Sequence, residues 1–250
     1  MGKLLAGRAT AMWRSAFNAL AAASGEPAVD NAPLATALVS GAALMGLRLD
    51  SASAEGLIDY QEELLRWNRR VNLVGRASTP AQVMEKHLLD SLAAAPELEG
   101  VSTLMDIGAG AGLPGIPLKV LRPRMEVTLV DSNGKKVAFM RHAIAKLRLG
   151  PGIRVTQARA SGAPAREQLP IVHAAISRAA APLPEWLKLA VSYVGPGGRV
   201  IAMVSGIEDA ALAAAGAAAG APLWSARRYE LPFSHAPRTI AVFHRTATEK

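Results

Sequence analysis

The sequence predicts an α/β fold: a doubly wound, seven-stranded sheet with an N-terminal annex of helices. Three observations carry this. From residue 103 onward, short apolar runs alternate with stretches of helical spacing, the signature of βαβ units and a parallel sheet. The first run leads through a glycine-rich turn into a helix start. The last two runs, 223–229 and 239–244, face each other across a short connection as a closing hairpin. With 250 residues, half of them apolar, the chain can bury one sizeable core.

Taken in order, residues 1–32 form an extension. No acid precedes Glu26, and Lys3, Arg8 and Arg14 are spread among small residues. A plain N-terminal extension is preferred over an organelle transit peptide. Residues 33–99 make the annex. Helical composition covers 34–47, and Leu57, Tyr60, Leu64, Trp67 and Val71 place one apolar stripe on a helix over 54–71, capped by Ser51 or Ser53. Arg66, Arg69 and Arg70 lie opposite the stripe. They fit either a solvated face or a track for phosphates. A second helix follows over 80–94 and carries His87 and Asp90, as a packing pair or part of a site.

Residues 100–250 make the α/β domain. Strands are expected at 103–107, 126–130, 153–157, 172–177 and 199–204, then the hairpin. Helices over 137–147, 184–194 and 208–219 separate them, with a turn at 195–198.

The stretch Leu104-Met105-Asp106-Ile107-Gly108-Ala109-Gly110-Ala111-Gly112-Leu113-Pro114-Gly115-Ile116-Pro117 organises the rest. Gly108, Gly110 and Gly112 permit a tight turn without a Cβ wall. Pro114 and Pro117 suit the first turn of a helix. Together they form a backbone cradle for a nucleotide-like ligand. The glycines alone leave the ligand open, because Gly110, Gly112 and Gly115 also satisfy the dinucleotide pattern G-x-G-x-x-G. Asp106, two residues before Gly108, speaks against a pyrophosphate and for a ligand bearing an ammonium group. Asp131 ends the second strand, where a carboxylate can accept both ribose hydroxyls of either nucleotide. Lys135 and Lys136 follow in the first turn of a helix, where they oppose the macrodipole by some tenths of a kcal/mol each. They are a solvated pair or a contact to phosphates.

The chain has no cysteine, which excludes disulfides, thiolate metal sites and a cysteine nucleophile. No apolar run is long enough to span a bilayer. A net charge of +8 favours a polyanionic partner, nucleic acid before membrane.

The Asp106–glycine pattern resembles motif I of the S-adenosylmethionine-dependent methyltransferases, and seven strands with a closing hairpin resemble their class I, Rossmann-like sheet. More specific elements narrow this. Trp67-Asn68 with Asn72-Leu73, His87-Leu88-Leu89-Asp90-Ser91-Leu92, the Gly-Leu-Pro-Gly-Ile-Pro turn, Asp131-Ser132 with Lys135-Lys136, and Ile176-Ser177-Arg178-Ala179 together resemble the RsmG (GidB) family, in order from about residue 34 to 245.

That resemblance implies methylation of guanosine N7 in small-subunit (16S) ribosomal RNA with S-adenosyl-L-methionine as cofactor. It also implies a cytoplasmic enzyme, expected here to be a monomer that acts on RNA or the 30S particle. The cofactor site implied comprises Asp106, Gly108, Gly110, Gly112, Leu113, Asp131, Ala160, Ser161 and Arg178. Arg178 serves as a cofactor or phosphate contact. The RNA-binding set comprises Arg66, Arg69, Arg70, Lys135 and Lys136.

Three positions depart from the family pattern: Ala160-Ser161 in place of a glutamate, Ser205-Gly206 in place of Lys-Gly, and Val74 in place of threonine. They motivate an alternative, a non-catalytic ribosome-binding or assembly factor on the same fold. A dehydrogenase ranks third. No catalytic base is expected. Guanine N7 carries a lone pair and no proton, so the chemistry needs placement alone.

Overall fold

The computed structural model describes residues 31–178 and 182–246. The extension expected over 1–32 falls almost wholly outside them, as does Ala179.

The annex begins with α1 (Asn31–Leu44) and α2 (Ser51–Asn68). The N-cap of α2 is Asp50, not Ser51 or Ser53. Asp50 is extended, and its carboxylate accepts the Ser53 N–H at 2.7 Å. A carboxylate gains more than a hydroxyl from the positive end of a helix, so Asp50 fixes the start. The helix stops at Asn68 instead of running to 71. There the Asn68 side chain turns the chain, accepting from the Leu73 and Val74 amides at 2.8 and 3.0 Å and donating to the Gly75 carbonyl at 3.3 Å. The position where Val74 replaces threonine thus contributes through its backbone.

A capping box between Thr79 and Gln82 opens α3 (Pro80–Val83). The helix expected over 80–94 is interrupted by a π-helical stretch, Met84–Leu89, before α4 (Asp90–Leu92). A π segment shifts later side chains around the axis, and it is this segment that carries His87.

The sheet contains β1 (Thr103–Ile107), β2 (Glu126–Asp131), β3 (Ile153–Gln157), β4 (Val172–Arg178), β5 (Val194–Val204), β6 (Leu223–Glu230) and β7 (Pro237–His244). Its order is β3-β2-β1-β4-β5-β7-β6. The first five strands are parallel, and β7 is antiparallel to both neighbours. Between them run α5 (Gly115–Leu121), α6 (Gly134–Lys146), the short α7 (Pro164–Glu167), α8 (Leu183–Val191) and α9 (Asp209–Ala218). The turn expected at 195–198 is instead absorbed into β5 as an irregularity in its pairing with β4. Gly198 there lies so close to β4 that a Cβ would come within 2.8 Å of the His173 carbonyl oxygen.

Alternation along β1 divides the core between the sheet faces. Leu104 joins a cluster with Leu57, Leu64 and Leu88 of the annex and with Ile116, Leu129 and Phe139. Met105 points the other way, to Val130, Ala175, Trp186 and Tyr193. The annex therefore shares its apolar core with one face of the sheet. Arginines reinforce the contact: Arg227 donates to Glu97 at 2.8 Å, and Arg199 to the Glu97 carbonyl at 2.7 Å.

Candidate active site

The carboxyl ends of β1, β2, β4 and β5 converge on two cavities, the usual ligand position in an open α/β sheet. The smaller, about 250 Å³, is lined by Gly108, Asp131, Ser132, Ala158, Ala160 and Trp186 among others. The larger, about 670 Å³, is lined by residues that include His87, Asp90, Ser177, Arg178, Trp186, Ser205, Tyr229 and Arg238. Trp186, on α8, is the wall they share.

Asp106 is fully buried at the end of β1. Its Oδ2 accepts the Gly115 N–H at the start of α5 at 2.8 Å, while Oδ1 is buried without a partner. Burial pushes its carboxyl up to about 7, against the Gly115 hydrogen bond and the nearby Arg178 cation, which favour the anion. Gly115 makes this contact possible, since a Cβ there would strike Leu129 and come within 3.0 Å of Asp106 Oδ2. Asp106 thus occupies the donor at the helix N-terminus that a pyrophosphate would need. The choice left open by the glycines falls against a dinucleotide, and the orphaned Oδ1 suits an ammonium group.

The turn itself is tied to β2. Gly108 and Ala109 both donate to the Val130 carbonyl, at 2.8 and 3.0 Å. Gly110 donates to Asp131 Oδ2 at 2.9 Å, and the Asn133 amide to Asp131 Oδ1 at 2.8 Å. Asp131 therefore shapes the turn as well as lining the cavity, with a lone pair left on each oxygen. Gly108 has φ +78 and nothing within 4 Å of the direction a Cβ would take, so the backbone is bare toward the ligand space. Gly112 packs on Ile116, and Leu113 is buried in the turn.

The site residues expected from the sequence do not all meet. Gly108, Asp131 and Ala160 do. Ser161 is drawn aside: its hydroxyl and amide both donate to Glu167, and its amide also donates to Tyr193 Oη at 3.0 Å. Arg178 lies in the larger cavity, where it donates to the Lys86 carbonyl at 3.0 Å and stands 3.5 Å from Asp90 Oδ2. His87 and Asp90 line that same cavity. Burial, then the cations Arg178, Lys86 and Arg238, push the His87 imidazole down to about 3, which keeps it neutral.

Known proteins share this sequence and this fold. Residues 53–221 match the family described as "GidB: rRNA small subunit methyltransferase G". The Ribosomal RNA small subunit methyltransferase G of Myxococcus xanthus is 48% identical over 216 residues, covering 86% of this chain and 99% of that protein. Its counterpart in Anaeromyxobacter dehalogenans (strain 2CP-C) is 44% identical, covering 84% and 96%.

The chain belongs to the rRNA small subunit methyltransferase G family.

The fold agrees. The S-adenosylmethionine-dependent methyltransferase SibL in its apo form superposes with a TM-score of 0.56 at 18% identity, covering 86% of this chain and 78% of that one. As a member of this family the chain takes S-adenosylmethionine, and the residues present fit it: an orphaned buried carboxylate, a bare glycine and a second carboxylate at the mouth of the turn.

The basic residues expected to meet RNA lie on adjoining elements. The end of α2 packs on α6 through Trp67, whose ring lies 5.7 Å from Phe139 and 5.2 Å from His142. Arg69 and Arg70 are exposed just past α2, and Lys135 is exposed at the start of α6. Arg66 pairs with Glu63 at 2.9 Å, and Glu63 also meets His142 at 2.9 Å. Three residues escaped sequence reasoning. Trp186 sat unremarked in a helix, Arg238 in a hairpin strand, and Tyr60 on what read as an ordinary apolar stripe. Among the described residues no helix is long and apolar enough to cross a membrane.

Proposed function

We propose that this chain methylates N7 of a guanosine in small-subunit ribosomal RNA, working as a monomer in the cytoplasm on the RNA or on the 30S particle. The observation that carries the reading is the pair of cavities sharing Trp186. One is lined by Gly108 and Asp131, as a nucleoside cofactor requires, and the other, larger and lined by Lys86, Arg178 and Arg238, lies beside it.

S-adenosylmethionine, when bound, supplies a sulfonium methyl that the guanine N7 lone pair attacks directly, the positive charge passing to the base with no proton released. Asp106 holds negative charge for the cofactor's ammonium, and Asp131 offers oxygens for the ribose. Ala160 and Trp186 provide apolar walls. Arg178, in the larger cavity, is the proposed cofactor or phosphate contact. Neutral His87 neither donates nor removes a proton at physiological pH, consistent with a reaction that depends on placement alone. Arg66, Arg69, Arg70, Lys135 and Lys136 are proposed to track the RNA backbone. Among the described residues the exposed large apolar side chains are Leu44, Ile171 and Trp224, and a few singly exposed apolar side chains are ordinary for a monomer. The organisation into an extension, an annex (33–99) and a methyltransferase unit (100–250) is retained as part of this proposal.

The test is the modification itself. Small-subunit RNA from cells lacking the gene should lose one site of aniline cleavage after borohydride treatment, and the purified chain with S-adenosylmethionine should restore it. An intact cleavage site, with a methylated adenine or cytosine lost instead, overturns the assignment. The alternative of a non-catalytic assembly factor predicts 30S binding with no methyl transfer.

A further inference from the structure

The larger cavity contains a cluster around Asp90 of which the chemistry above uses Arg178 alone. Asp90 is buried, with 5% of its side chain exposed, and it gathers groups from three strands. Tyr229 Oη of β6 donates to Asp90 Oδ1 at 2.8 Å. Arg238 Nε of β7 lies 3.3 Å from the same oxygen. Arg178 Nη1 of β4 lies 3.5 Å from Oδ2. One carboxylate thus faces two guanidiniums, with the exposed Lys86 on the same rim.

Each guanidinium carries five N–H donors. Among the described residues, the contacts engage Arg178 through Nη1 and Arg238 through Nε and Nη1. Both arginines remain partly exposed, 17% and 26% of their side chains. Toward these partners donors are left over on both, in a cavity that sets three cations and one carboxylate beside apolar walls that include Leu183, Trp186 and Met203.

We propose that Arg178 and Arg238 form a phosphate clamp for the target nucleotide, with Asp90 as the positioning residue that holds both guanidiniums toward it. The target nucleotide leaves its stack and enters the larger cavity whole. Its base lies toward Trp186, the wall shared with the cofactor space, and its own phosphate lies between the arginines. Base extrusion of this kind is how enzymes reach a reacting atom in a folded nucleic acid, and a bidentate guanidinium suits a phosphate better than an ammonium does. The proposal deepens the methyl-transfer reading and rests on it for the identity of the nucleotide.

The experiment measures binding to the full chain loaded with S-adenosylhomocysteine, with guanosine 5′-monophosphate, guanosine and inorganic phosphate as probes. The monophosphate should bind at least tenfold tighter than guanosine or phosphate alone. Arg238→Gln should abolish that advantage while leaving guanosine and S-adenosylhomocysteine affinity unchanged. Asp90→Asn should reduce it, and in methylation assays should raise KM for RNA more than it lowers kcat. If Asp90→Asn does not fold, Arg238→Gln alone decides. Equal binding of the nucleotide and the nucleoside, or phosphate binding as tight as the nucleotide, overturns the clamp. If the wild-type chain shows the nucleotide preference but forms no 7-methylguanosine, the clamp stands and the functional assignment fails.

Discussion

The Tyr60 hydroxyl donates a 2.6 Å hydrogen bond to the carbonyl oxygen of Ala111. It joins the second annex helix to the middle of the glycine turn. Tyr60 is fully buried, and its ring lies 6.1 Å from that of Phe139 on α6. Burial, more than the neighbouring Asp106 charge, drives its phenol far above the ordinary range, so it remains a donor at every accessible pH. The annex therefore braces the cofactor turn from behind.

Tyr60→Phe is expected to keep the packing and leave the buried Ala111 carbonyl unpaired, at a cost of about 1–3 kcal/mol. Denaturant unfolding should show a lower midpoint with an unchanged m-value. Calorimetry should show weaker S-adenosylmethionine binding. Unaltered affinity would mean that the turn holds its shape without the brace.

Asp131→Ala is expected to weaken S-adenosylmethionine by roughly 1.5–3 kcal/mol through the loss of charge-assisted ribose contacts. Because Asp131 also accepts the Gly110 and Asn133 amides, the variant should melt earlier even without cofactor. Equal affinity in variant and wild type would place the ribose elsewhere.

Two groups in the site give opposite pH behaviour. The folded-state pKa of Asp106 is about 7, above its ordinary 3.8, so its contribution to stability is fully present below about pH 3.8 and lost as pH rises through about 7. Pairing with an ammonium requires the ionised form. Cofactor affinity should therefore climb about tenfold per pH unit well below pH 7 and level off above it. Asp106→Asn should abolish the slope. His87, at about 3, is already neutral throughout this window. With saturating cofactor and chemistry rate-limiting, single-turnover methylation should show no limb from His87 between about pH 5.5 and 8.

Arg69→Glu with Arg70→Glu is expected to weaken small-subunit RNA binding. The slope of log K against log salt should fall by about 0.7–0.9 for each phosphate that the arginines no longer neutralise. Adding Arg66→Glu should contribute less, because Arg66 is already paired with the buried Glu63 at 2.9 Å. Cofactor affinity should be untouched. An identical salt slope would assign these arginines to a solvated face.

The local code is plain where structure depends on neighbours in sequence. β1 and β3 occupy the expected residues, and the hairpin and helix order follow, because alternation, glycine turns and prolines act over a few residues. Asp106 and Asp131 were legible for the same reason, each standing at a fixed distance from the glycines.

Competition between near-equal local signals blurred the ends. Asp50 outcompeted two serines for the cap, and the Asn68 side chain ended α2 early.

By itself, then, the sequence determined the sheet, the glycine turn and its two carboxylates. Only the tertiary structure decided what surrounds them. Asp90 and Arg178 are 88 residues apart in the chain, and Tyr60 and Ala111 are 51 apart. Ser161 turned to Glu167 and Tyr193 because those side chains came within reach after folding. For Tyr60 and Asp90, burial forces a polar group to find a partner. No periodicity along the chain records which distant residue the partner will be.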